Sequence, residues 1–92
     1  MLTELISFIR DRLKPKAEGA AYLYHKGAET LDIVVATKDH EDAIYNLVFL
    51  LEDELADRFP DFAFNFYIWA HQGRGATTVL PSSFVRLWEI DV

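Results

Sequence analysis

Between Asp61 and His71 the chain alternates without a break: Phe62, Phe64, Phe66, Ile68 and Ala70 share one parity, and Ala63, Asn65, Tyr67, Trp69 and His71 share the other. A period of two is the signature of a β-strand, in which successive side chains point to opposite faces. Both parities are largely apolar. The expectation is therefore a strand that is central in its sheet or covered on both sides. A sheet holding such a strand needs a second layer, and the rest of the chain supplies helices for it.

Leu2, Leu5, Ile6, Ile9 and Leu13 recur at helical spacing, with Thr3 as N-cap and Pro15 as stop. Ala20 to His25 reads as a strand, Lys26-Gly27-Ala28-Glu29 as a turn, and Thr30 to Thr37 as a second strand with Leu31, Ile33 and Val35 on one face. A long helix follows from an N-cap near Asp39, with Glu41 and Asp42 in its first turn, where the helix dipole favours acid. Ile44, Leu47, Val48, Leu51 and Leu55 form its core stripe, Arg58 sits in the last turn and Pro60 ends it. Tyr45, Phe49 and Leu50 widen the apolar surface, which fits either a helix held between the sheet and the first helix or a contact surface for another chain. After a Gln72-Gly73-Arg74-Gly75 loop and Pro81, Phe84 to Ile90 forms a fourth strand or a short helix running into one. The order helix-strand-strand-helix-strand-strand predicts an α+β fold: a small mixed sheet of three to four strands with two helices packed on it. Residues 1–92 form a single domain, and a chain of this size removes roughly 60–65% of its surface from water.

Composition narrows the function classes. With no cysteine, disulfides, thiolate metal sites and cysteine nucleophiles are excluded. Net charge is −6, and the only basic grouping, Arg10, Arg12, Lys14 and Lys16, sits where a helix C-terminus favours cations. Nucleic acid is not an expected partner. Met1-Leu2-Thr3-Glu4 does not open a secretory signal, and no apolar run approaches the roughly 20 residues that span a bilayer. A soluble cytoplasmic protein without membrane contact is expected, and its acidic balance would suit a basic protein partner.

Candidate chemistry is sparse. Asp39-His40-Glu41-Asp42 fans around a helix start and reads as capping. His25 and His71 would share a metal only if their strands paired; no metal or cofactor is expected. Ser82-Ser83 follows a proline and reads as a turn. Gly73-Arg74-Gly75 offers backbone amides to a phosphate, or is a flexible turn. Asp32, inside an apolar strand, is the carboxylate that most needs explaining, with Asn65 its polar counterpart in the third strand.

Three segments carry a resemblance: Ala21-Tyr22-Leu23-Tyr24-His25-Lys26-Gly27, Leu31-Asp32-Ile33-Val34-Val35, and Phe62-Ala63-Phe64-Asn65-Phe66, with Leu51 to Pro60 as the end of a long helix between them. In element order and hydrophobic pattern they resemble the minimal nucleotidyltransferase fold. That family's chemistry needs Gly-Ser after the first strand, Asp-x-Asp on the second and a third acid on the next, which together hold two metal ions. Here Ala28 follows Gly27, Val34 stands two after Asp32, and Asn65 takes the third position. The resemblance implies a degenerate member without transferase activity.

Two readings follow. One is a non-catalytic protein-interaction or regulatory module, with a protein partner or self-association as a homodimer, and with Tyr45, Phe49, Tyr67, Trp69 and Trp88 as interface candidates. The other is a small-molecule or nucleotide binder, or an enzyme, with Asp32, Asn65, Trp69, His71 and Arg74 gathered in a pocket near the end of the third strand.

Overall fold

A computed structural model of the chain describes residues 2–89. Its elements are α1 (Leu2–Leu13), β1 (Gly19–His25), β2 (Thr30–Thr37), α2 (Asp42–Arg58), β3 (Ala63–Ala70), a 3-10 turn (Ala76–Thr78) and β4 (Val85–Glu89). The described residues thus form a small α+β fold with two α-helices and a four-stranded mixed sheet, and the 3-10 turn between β3 and β4 is absent from the expected order. The fourth element is a strand, and the Ile90 end expected for it lies outside the described residues.

β1 and β2 form an antiparallel hairpin closed by residues 26–29, in which Gly27 (φ 95°) takes a backbone conformation that side chains rarely adopt. α2 then crosses from β2 to β3, which must be parallel to each other because a helix has carried the chain back to its starting end. β4 returns antiparallel beside β1, giving the order β3-β2-β1-β4.

Both helices lie on one face of this sheet. Leu5, Ile9 and Leu13 of α1 and Ile44, Val48, Leu51 and Leu55 of α2 meet Ala20, Leu31, Ile33 and Val35 from the strands, all buried. The helices sit side by side, tied by a two-point bond from Arg12 to Glu54 (3.2 and 2.9 Å), with the Phe8 ring under Arg12 and Arg58. On the opposite face the cover is thinner. Ala76 and Leu80 pack on Ala21, Val34 and Ala36, and these short side chains let the 3-10 turn approach the strands closely.

Several expectations are corrected here. β3 is an edge strand, and its second parity, Ala63, Asn65, Tyr67 and Trp69, is exposed. Apolar alternation on both faces shows that both can be buried, but two helices suffice to cover only one. Asp39 is not the cap of α2: the helix starts at Asp42 behind Glu41, whose side chain makes no cap bond, while the Asp39 carbonyl accepts from the Thr37 hydroxyl (2.8 Å). Thr3 lies within α1. Trp88 is half-buried against the helix-side core.

Candidate functional site

The open face of the sheet can be read as rows running across the strands. The antiparallel register sets Leu23 opposite Asp32, and the parallel register sets Asp32 beside Asn65. One step up, Ala21, Val34 and Tyr67 align, and above them Gly19, Ala36 and Trp69. One step down, His25 faces Thr30 at the hairpin end.

The lower rows hold a polar cluster. The Asp32 carboxylate receives the Asn65 amide on Oδ1 (3.0 Å) and contacts His25 Nε2 through Oδ2 (2.7 Å). These contacts, that of His25 foremost and that of Asn65 next, hold the Asp32 carboxyl below its ordinary range, against a smaller opposing effect of burial. The demand that a carboxylate inside an apolar strand find partners is therefore met by two neighbouring strands. The pair His25–Asp32 is a diagonal one, two residues along the hairpin from directly opposite. A turn at residues 26–29 by itself sets His25 diagonal to Asp32, so this pair is legible in the sequence, while the expected neighbour His71 lies elsewhere.

The upper rows hold an aromatic platform. Tyr67 and Trp69 are 45% and 43% exposed, large values for such side chains, with ring centroids 6.5 Å apart. They sit beside the part of the face that Ala76 and Leu80 cover.

His71 belongs to neither group. It is fully buried beyond the end of β3, with Nε2 bonded to Glu18 Oε1 (2.9 Å) and Nδ1 accepting the amides of Gly73 and Gly75 (both 3.1 Å). Since two N–H groups point at Nδ1, that nitrogen is the acceptor and the proton sits on Nε2. The two glycine amides that could have met a phosphate are thus directed at an imidazole. Arg74 donates from Nε to the His71 carbonyl (3.2 Å), so the loop closes upon itself. The Glu18–His71 bond joins residues 53 apart, and no local pattern foretold it.

The five residues expected in one pocket therefore fall into three places. Asp32 and Asn65 are together, Trp69 stands two rows above them, and His71 and Arg74 build the loop beyond. His25 and His71 lie toward opposite ends of the sheet, and no group of three acidic or imidazole side chains suited to a metal occurs among the described residues. A cavity of about 290 Å³ does occur, but along α1, lined by Leu2, Thr3, Ile6, Ser7, Arg10 and Tyr22. No described helix is long and apolar enough to cross a membrane.

The interface candidates divide as well. Phe49 is 60% exposed on α2, Tyr45 is half-buried with its hydroxyl on His40 Nδ1 (2.7 Å), and Tyr67 and Trp69 are on the open face. Trp88 is on the far strand, its indole N–H buried without a partner among the described residues. No family model, curated protein or solved structure matches the chain.

Proposed function

We propose that this chain is a non-catalytic protein-interaction module that docks through β3, using the open face at Tyr67 and Trp69 together with the strand's free edge. The observation that carries this reading is the exposure of two large aromatic rings, side by side, on an edge strand with no charged residue. Apolar side chains left in water on an unpaired edge favour association with another chain. Aromatic residues are also the side chains that most often anchor interfaces.

The Asp32 cluster fits the same reading. Both carboxylate oxygens are engaged by His25 and Asn65, so this acid acts as a tie between three strands. The direct register of Asp32 with Asn65 is consistent with a degenerate nucleotidyltransferase-like domain, in which an amide has replaced an acid. In a second reading, His25, Asp32 and Asn65 receive a small polar ligand on the open face, which their convergence favours. A metabolite and nucleotide panel with Mg²⁺ should then raise the melting temperature of the wild type and not that of Asp32→Ala.

The test of the first reading is a photo-crosslinking amino acid in place of Trp69, introduced in the native cells, with Asp11 as the control position. A discrete adduct at position 69 and none at position 11 is expected. Absence of any adduct at 69 removes the proposal.

A further inference from the structure

We propose that the occupant of this edge is a second copy of the chain, with β3 pairing antiparallel to β3 about a two-fold axis through Tyr67. This rests on the reading of β3 as the docking surface and adds the identity of its partner. The backbone supplies the register. Ala63 N–H donates to the Glu29 carbonyl (2.9 Å) and His71 N–H to the Thr37 carbonyl (2.8 Å), so residues of that parity turn their main-chain groups toward β2. Phe64, Phe66, Ile68 and Ala70 consequently turn theirs outward.

An antiparallel partner must set outward-turned residues against outward-turned residues, which excludes every odd shift. With Tyr67 opposite its own copy, Phe64 meets Ala70 and Phe66 meets Ile68, so every outward group is used, in about eight hydrogen bonds. Centring on Phe66 instead would set Ala70 against Phe62, which lies outside the strand. The sequence suits the first register. No Asp, Glu, Lys, Arg or Pro occurs in Ala63–Ala70, so no like charges meet and no amide is missing.

The same two-fold axis keeps both pairs of helices on one side and brings the α2 helices toward each other. Glu54 faces α1 through Arg12, and Phe49 lies roughly 140° around the helix from it, five residues at about 100° each. Because α1 lies toward β4 and α2 toward β3, the flank bearing Phe49 overhangs the free edge. Dimerisation would thus bring Phe49 toward its own copy on the helix side and, on the open face, set Tyr67 beside its own copy and Trp69 beside the second copy's Asn65. At about 150–250 Å² per aromatic side chain, the exposed fractions of Phe49, Tyr67 and Trp69 amount to roughly 300 Å² per copy. The seam can therefore draw on at most roughly 600 Å² of ring surface in the pair, against the ~1,200 Å² at which stable interfaces begin. The strand edges and the half-buried Phe64, Phe66 and Ile68 lie in the same seam and supply the rest.

Charge separates this partner from a basic one. Each copy carries −6, so added salt should strengthen self-association, whereas a complex with a basic protein would weaken. The direct test uses the absence of cysteine. In the proposed register Tyr67 forms a non-hydrogen-bonded pair with Cα atoms about 4.5 Å apart, within disulfide reach. Tyr67→Cys should oxidise quantitatively to a species of twice the 10.6 kDa chain mass, and Val85→Cys, at a somewhat more exposed position on the opposite edge strand, should not. Wild-type protein at about 100 μM should sediment as a dimer, more completely in high salt. A wild-type monomer at that concentration, with Tyr67→Cys no faster to crosslink than Val85→Cys, overturns the second copy. If the adduct at position 69 then contains a different chain, the docking surface stands with another occupant; if there is no adduct, both fall.

Discussion

His71→Leu tests whether the loop beyond β3 is held by its imidazole. Leucine fits the buried volume but offers no nitrogen. The change removes the bond to Glu18 and leaves the Gly73 and Gly75 amides without their acceptor. Two amide bonds at about 1 kcal/mol each, and a carboxylate bond at about 1.5 kcal/mol, put the loss near 3.5 kcal/mol. Burial of the leucine returns about 1–1.5 kcal/mol, leaving a net loss of roughly 2 kcal/mol. For a domain of this size that lowers the melting temperature by about 8–16 °C. Urea unfolding followed by tryptophan fluorescence gives the same difference directly. In the wild type, the imidazole ¹⁵N shifts should report a proton on Nε2 and a bare Nδ1. A variant within about 0.5 kcal/mol of wild type, or a proton on Nδ1, would refute the reasoning.

The Asp32 carboxyl is held below its ordinary range in the folded protein, so its contribution is present above the unfolded value near 3.8 and is lost as pH falls through the lower folded value. The stability difference between wild type and Asp32→Asn, from urea melts, should therefore be constant near neutrality and shrink only in strongly acidic solution. Gly75→Ala meets no atom within 4 Å but must hold φ at 93°, so it should cost about 1–2 kcal/mol by conformation alone, as calorimetry would show. Leu55→Ala, at the centre of the helix-sheet core, should cost about 2–5 kcal/mol by chemical denaturation.

Local pattern was enough for most elements. The Thr30–Thr37 strand appears with the bounds its alternation implies, and the Ile44, Val48, Leu51, Leu55 stripe is buried as its spacing requires. The hairpin turn at residues 26–29 likewise followed from its glycine. What the pattern could not reveal was the place of β3 in the sheet. Phe64 and Trp69 are equally apolar as letters, but only the helix-side parity finds a covering layer, because the described residues form just two α-helices. The start of α2 departs from local pattern for a related reason: Asp39 is a good cap by type, yet its segment runs on past β2 and the helix begins at Asp42. At the site, Asp32 and Asn65 were legible as polar interruptions of apolar strands, and their pairing is a matter of register. Glu18 and His71 meet only because β1 begins at the end of the sheet where β3 finishes, which depends on the whole topology.

The most direct measurement of the central claim is amide hydrogen exchange along β3, read residue by residue at low and high protein concentration. Tyr67 and Trp69, whose amides turn toward β2, should be protected at both. Phe66 and Ile68, whose amides turn outward, should exchange freely in dilute protein and become protected as concentration rises. Outward amides that exchange freely at every concentration, with or without cell extract, would contradict the account, since no partner would then be using this edge.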